Sequence, residues 1–231
     1  MNQLFYTPKI ENGLALLEEE ESRHLVSVLR KKPGDKLDIT DGKGKFYTAE
    51  LSECGKKQAL ARILTSIDET RERPFRIHIA MAPTKNMERF EWFLEKATEL
   101  GVDEITPVLC KRSERETVRH DRMEKILVSA MKQSLRGTLP KLNALTPFRD
   151  VIKNTSETQR FIPWCGEEGL PYLKTCIQRD SDVIILIGPE GDFTPDEAAL
   201  AIQNGFRGVS LGTTRLRTET AGIYALLAAA L

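Results

Sequence analysis

Five consecutive apolar residues, Val183-Ile184-Ile185-Leu186-Ile187, lead without a break into Gly188-Pro189-Glu190-Gly191-Asp192-Phe193. A strand with one wet face alternates apolar and polar residues; this run does not, as expected of a strand covered on both faces. Covering both faces takes helices above and below the sheet, so strands and helices must alternate along the chain. From residue 75 onward they do. Segments 77–81, 105–109, 161–164 and 208–211 read as further strands, and apolar residues at helical spacing predict helices over 86–100, 119–134 and 218–230. The helix after the buried run has both ends marked. Thr194 and Glu197 form a capping box around Pro195 at the first helical position, and Asn204-Gly205 is a stop signal. The fold class is therefore α/β with a mostly parallel sheet.

The first third has another texture. Leu37-Asp38-Ile39-Thr40, the turn Asp41-Gly42-Lys43-Gly44 and the run Phe46 to Leu51 read as a hairpin. Segment 60–67 supplies another strand and 21–29 a short helix, so a small β-rich module, a barrel, is expected. The run Asp68-Glu69-Thr70-Arg71-Glu72-Arg73-Pro74 is charged, lacks apolar anchors and ends in proline. It divides the chain into residues 1–73 and 74–231.

Composition narrows the function classes. With 40% apolar and 29% charged residues the chain has the make-up of an ordinary globular protein. Its longest apolar run, 223–231, is too short to span a bilayer, so no membrane partner is expected. The start Met1-Asn2-Gln3-Leu4-Phe5 lacks the basic and apolar regions of a secretory signal, which points to the cytoplasm. Cys54, Cys110, Cys165 and Cys176 are scattered, as are the three histidines, so reduced thiols and no metal site are expected. Formal net charge is zero, yet residues 111–141 hold nine Lys or Arg against four Asp or Glu. Smaller basic clusters are Arg30-Lys31-Lys32, Lys43 with Lys45, and Lys56-Lys57. Local basic patches on a neutral chain suit an anionic partner bound at one place, although a plain solvated surface gives the same pattern.

Ligands of open parallel sheets bind beyond the carboxyl ends of the strands. Two such ends are peculiar: 188–193, and the loop Leu211-Gly212-Thr213-Thr214-Arg215-Leu216-Arg217-Thr218-Glu219-Thr220-Ala221. Neither is a phosphate cradle, because G-x-x-x-x-G-K-[ST] and G-x-G-x-x-G are both absent. That absence disfavours a nicotinamide oxidoreductase. A glycine loop without lysine, followed by an acidic helix start, suits a ligand lacking phosphate and recognised through backbone groups, such as S-adenosylmethionine. Glycines serving tight turns and acids capping helices are the plainer alternative.

These loops resemble the cofactor-binding signatures of the SPOUT superfamily, and more closely those of the ribosomal RNA small subunit methyltransferase E family. The family pattern I-G-P-E-G-G-F is matched at 187–193 except that Asp192 stands for the second glycine. L-G-x-x-I-L-R-T-E-T-A is matched at 211–221, with Arg215 where an aliphatic residue is common. Lys96-Ala97-Thr98-Glu99-Leu100-Gly101-Val102 with Ile105-Thr106-Pro107 is similar to the family's first helix and second strand. Lys132-Gln133-Ser134-Leu135-Arg136 is similar to its E-Q-S-G-R stretch, with Lys132 and Leu135 as departures. His24, Val28-Leu29-Arg30, Gly34-Asp35 and Asp41-Gly42 resemble its N-terminal PUA-like RNA-binding module.

The resemblance implies a SPOUT-type sheet whose C-terminal trefoil knot forms the cofactor pocket, behind a PUA-like barrel. It implies a homodimer acting on 16S rRNA of the small ribosomal subunit, with S-adenosylmethionine as methyl donor to uridine N3. Gly188, Gly191, Leu211, Gly212, Leu216, Thr220 and Ala221 would line the cofactor. Arg30, Lys31, Lys32 and Lys43 would meet RNA phosphate, which positions a substrate without reading its bases. Uridine N3 must lose a proton, and a guanidinium would stabilise the charge spreading onto the neighbouring carbonyl oxygens. Arg217 and Arg136 are the candidates. A salt bridge, for example to Glu190, and a phosphate contact are their respective alternatives. Glu219 is either the proton acceptor or a stabiliser of the last helix, and His24 reads as structural. Two rival functions are a ribose 2′-O-methyltransferase of the same fold and a non-catalytic RNA-binding ribosome-assembly factor.

Overall fold

A computed structural model describes residues 3–55, 57–70 and 73–231. Lys56 of one basic cluster, Arg71 and Glu72 of the charged linker, and Met1 and Asn2 lie outside the described residues. The chain divides into two units, Met1–Thr70 with Val128–Leu139, and Arg71–Leu127 with Pro140–Leu231.

The first unit opens with three short strands, β1 (Leu4–Tyr6), β2 (Ile10–Glu11) and β3 (Leu14–Leu17). Helix α1 (Glu19–Arg23) continues into a π-helical turn, His24–Val28, and β4 (Lys36–Thr40), β5 (Lys45–Cys54) and β6 (Ala59–Asp68) follow. They form one sheet in the order β1-β4-β5-β6-β3-β2, antiparallel except where β1 meets β4. The β4–β5 turn is fixed by Asp41, whose carboxylate accepts from the Lys43 amide at 2.7 Å and the Tyr47 hydroxyl at 3.2 Å. Alternate residues Leu37 and Ile39 of β4, and Ala49 and Leu51 of β5, point into one core with Phe5, Leu17 and Leu25.

In the second unit strands and helices alternate: β7 (Ile77–Met81), α2 (Met87–Glu99), β8 (Glu104–Leu109), α3 (His120–Gln133) and the short β9 (Lys141–Leu142) and β10 (Thr146–Pro147). Then come α4 (Phe148–Asn154), β11 (Gln159–Pro163), α5 (Leu173–Cys176), β12 (Val183–Ile187), α6 (Pro195–Gln203), β13 (Arg207–Val209) and α7 (Thr218–Ala230). The sheet runs β10-β8-β7-β12-β11-β13 with β9 also beside β8, and every pairing is parallel. Strand β12 sits between β7 and β11, and none of its side chains is more than 3% exposed. Ile184 and Leu186 pack with Phe148, Val151, Ala198 and Phe206 from the α4 and α6 side. The opposite face is covered by α2 and α7, which approach closely at Gly222: a Cβ there would lie 2.7 Å from the Phe93 ring and 3.0 Å from Met81 Sδ. Asn86 caps α2, its side chain accepting from the Glu88 amide, and the capping box of Thr194 and Glu197 is formed in both directions.

One part of the chain crosses the division read from the sequence at residue 73. Residues 128–139, the end of α3 and the turn after it, belong with the first unit. Glu69 accepts from the Gly137 amide at 2.8 Å and the Thr138 hydroxyl at 2.6 Å, while Thr40 Oγ1 donates to the Gly137 carbonyl at 2.8 Å. Lys132 pairs with the buried Glu21. Among the described residues no helix is long and apolar enough to cross a membrane.

Candidate functional site

Because all strands of the second unit are parallel, their carboxyl ends share one edge, and five loops leave from it. These follow β7 (82–86), β8 (110–119), β11 (164–172), β12 (188–194) and β13 (210–217). The loop after β12 is fastened to three others by side chains. Glu190 Oε1 accepts from the Lys85 amide at 3.0 Å. Arg112 Nη1 donates to the Gly191 carbonyl at 2.6 Å and the Phe193 carbonyl at 3.3 Å. Asp192 Oδ2 accepts from the Cys165 amide at 2.9 Å, and its Oδ1 from the Phe193 amide at 2.8 Å. Phe193 anchors the far end in the core, its ring 5.5 Å from that of Phe148. Among the described residues the amides of Gly188, Glu190 and Gly191 have no hydrogen-bond partner.

The loop after β13 is tied at its start, where Ser210 exchanges backbone hydrogen bonds with Pro171 and Leu173 at 2.9 Å each. Ser210 Oγ also meets the Gly212 amide and carbonyl, at 3.1 Å each. Residues 212–215 are exposed, and Leu216 is half-buried. Arg217 occupies the N-cap position of α7, and its carbonyl accepts from the Ala221 amide at 2.8 Å. Its side chain is exposed and makes no hydrogen bond or ion pair with the described residues, so the salt bridge to Glu190 considered from the sequence is not formed. Glu219 is 9% exposed in the first turn of α7, with its Oε1 3.9 Å from Arg89 Nε on α2. Thr220 is exposed and Ala221 half-buried.

Burial first, then the Asp192 carboxylate, pushes the Cys165 thiol up, and the Arg215 guanidinium partly offsets them. Asp192 and Arg215, the departures within the two resembled loop motifs, both act on this one residue.

The remaining candidates are in the first unit. Arg30 is exposed in the left-handed conformation, φ 54°, Lys31 is half-buried, and Lys32 and Lys43 are exposed. Arg136 follows Leu135, itself at φ 55°, in the turn that Glu69 and Thr40 hold. Thr138 pairs with Gly42 and Lys43, so the structure brings the Arg136 turn against the Lys43 turn. His24 faces Gln3 at 3.0 Å and packs edge-on against Phe5, as a structural histidine does. Sequence reasoning missed Arg112 and the double acceptor role of Asp192. The signal for Arg112 was a basic residue just past a strand end.

The RNA methyltransferase domain family matches residues 71–230, and the RNA methyltransferase PUA domain family matches residues 17–64. A crystal structure of a probable rRNA-methyltransferase from Porphyromonas gingivalis is 41% identical at TM-score 0.90, covering 97% of this chain and 95% of its own. A ribosomal RNA small subunit methyltransferase E from Neisseria gonorrhoeae, solved bound to S-adenosyl methionine, is 31% identical at TM-score 0.87, covering 99% and 96%. The protein of the same name from Bacillus subtilis is 27% identical over 222 residues, 90% of this chain and 86% of that one.

Proposed function

We infer the reaction from kinship and site together: this chain belongs to the ribosomal RNA small subunit methyltransferase E family, and it methylates N3 of a uridine in 16S rRNA with S-adenosylmethionine as donor. The observation that carries this reading is the pair of loops after β12 and β13, which combine the family's motifs with unpartnered backbone amides and an uncommitted guanidinium. Gly188, Gly191, Leu211, Gly212, Leu216, Thr220 and Ala221 line the cofactor. The donor set fits that group, since backbone amides and half-buried Leu216 suit an adenine and a ribose, and the loops 188–193 and 210–217 themselves contain no lysine to hold a phosphate. S-adenosylmethionine supplies an electrophilic methyl group on a cationic sulfonium.

The chain's own contribution is alignment and electrostatics. Holding two reactants in line lowers a barrier by roughly 7–11 kcal/mol. Arg217 stabilises the charge that spreads onto the uracil oxygens as N3 loses its proton, and Arg136 is the second candidate for that work. Glu219 acts through the start of α7, where Arg89 neutralises it, rather than as proton acceptor. Arg30, Lys31, Lys32 and Lys43 of the PUA domain bind RNA phosphate.

The same reading supplies the finer architecture: a trefoil knot around residues 210–217, a closed barrel in the first unit, a homodimer and a cytoplasmic location. The hydrogen bonds of Ser210 to both Pro171 and Leu173 support the knot, because they lay the loop after β13 against the loop after β11. A ribose 2′-O-methyltransferase is not favoured, since R-T-E-T-A stands at 217–221. A non-catalytic assembly factor has no need of a built cofactor loop. The test is to compare 16S rRNA from cells with and without this protein. Loss of one N3-methyluridine is expected, and an unchanged modification pattern would refute the reading.

A further inference from the structure

Asp192 stands where the backbone turns into the left-handed region, at φ 60°. Glycine holds that angle without steric cost, whereas an L side chain resists it. The aspartate therefore has to return something, and its two oxygens do. One accepts from the Cys165 amide, 27 residues earlier in the loop after β11, and the other from the Phe193 amide. Acceptors that carry a full charge make the stronger class of hydrogen bond. Arg112, arriving from the loop after β8, takes the carbonyls on either side, those of Gly191 and Phe193. Between these two side chains, four backbone groups are committed to the scaffold, and the amides of Gly188, Glu190 and Gly191 remain without a partner among the described residues. A turn-forming role alone would not need the bond to Cys165, which reaches a different loop.

We propose that Asp192, with Arg112, is a positioning residue that holds the 188–193 loop in its cofactor-receiving form before S-adenosylmethionine arrives. This rests on the methyltransferase reading above. A loop ordered in advance does not pay for ordering on binding, so the brace shows in cofactor affinity. Asp192→Gly keeps the turn and removes both acceptors. Asp192→Asn keeps one oxygen acceptor and loses the charge. Arg112→Met removes both donors while keeping a long side chain.

The experiment titrates the full-length chain with S-adenosylmethionine by calorimetry and follows amide exchange by NMR without cofactor. Asp192→Gly binds cofactor about five- to tenfold more weakly, with the loss falling on KM for cofactor more than on kcat. The Cys165 and Phe193 amides exchange faster in the free variant, Asp192→Asn recovers part of the affinity, and Arg112→Met weakens binding in the same direction. Wild-type affinity in Asp192→Gly, or unchanged exchange at those two amides, overturns the brace alone. Absence of cofactor binding by the wild-type chain overturns the methyltransferase reading, and the brace's cofactor role with it. Should Asp192→Gly fail to fold, Arg112→Met decides: wild-type affinity in that variant rejects the proposal.

Discussion

The two loops that frame the site are built in opposite ways. The loop after β12 is shaped by the protein: Glu190, Arg112 and Asp192 fasten it to the loops after β7, β8 and β11, and Phe193 sinks its end into the core. The loop after β13 is anchored where it begins, by Ser210, and where it ends, by α7; between them residues 212–215 are exposed and the Arg217 side chain has no hydrogen-bond or ion-pair partner among the described residues. The contrast separates two tasks. Binding through backbone amides needs a loop already in place, whereas a charge that acts on a transition state must reach toward a substrate.

The largest effect belongs to the uncommitted charge. Arg217→Ala should lower the single-turnover rate by ~10²–10³ with cofactor affinity close to wild type, because such a contact strengthens only as charge develops. Arg217→Lys keeps the charge but not the planar fork and should also be impaired. A wild-type rate in Arg217→Ala would erase the distinction between the loops, and loss of cofactor binding would make Arg217 structural, leaving Arg136 the better candidate.

The next effect leaves both loops alone. Replacing Arg30, Lys31 and Lys32 together by alanine should weaken RNA binding across sequences and flatten the salt dependence by roughly 2–3 units of log–log slope, with cofactor affinity unchanged. RNA affinity equal to wild type at several salt concentrations would contradict the phosphate assignment.

Smaller still is the anchor of the second loop. Alanine is the better helix former by ~1 kcal/mol, yet Gly222→Ala should destabilise the protein, since overpacking costs about 1–3 kcal/mol and the new Cβ meets Phe93 at 2.7 Å. A raised melting temperature would show that α7 is seated more loosely than these contacts require.

The smallest effect is at the opposite ends of the strands. Burial is the largest single influence on Glu157 and would raise it, but the hydrogen bond to His78 at 2.6 Å, the electrostatic attraction of that ring and the backbone amides of Glu157 and Ser156 together outweigh it and lower its pKa. Glu104 is lowered in the same way, burial being outweighed by the hydrogen bonds of Lys141 and Asn143 together with the electrostatic attraction of His78 and Lys141. A depressed carboxylate stabilises the fold above its ordinary value of 4.5, and the contribution is lost as pH falls through the folded pKa. Glu21, raised by burial despite Lys132, runs the other way: its contribution is full below 4.5 and declines as pH rises through its folded pKa. Melting temperatures below pH 5 should therefore fall less steeply in Glu157→Gln than in the wild type. Equal slopes would remove Glu157 from the account.

Much of this was legible in the sequence, for reasons that can be named. The buried run 183–187 and the helix 218–230 fall where the pattern predicts, because hydrophobic period and capping chemistry are both local. Helix α4 was missed although Phe148, Val151 and Ile152 have helical spacing, because it spans only seven residues behind Pro147. The short strands β1, β2, β9 and β10 are too brief to show a period. The membership of 128–139 in the first unit was illegible, since it depends on bonds such as Thr40 to Gly137, 97 residues apart. At the candidate site the two loop motifs are visible in the sequence, but the hydrogen bonds of Arg112 and Asp192 to other loops are tertiary and have no local signature.

The central claim is the chemistry itself, and one measurement reaches it directly. The purified chain is incubated with S-adenosylmethionine and small ribosomal subunits lacking the modification, and the 16S rRNA is digested to nucleosides for mass spectrometry. The account predicts N3-methyluridine, formed by the wild-type chain and nearly absent with Arg217→Ala. A 2′-O-methylated nucleoside in its place, or no methylated product at all, would contradict it.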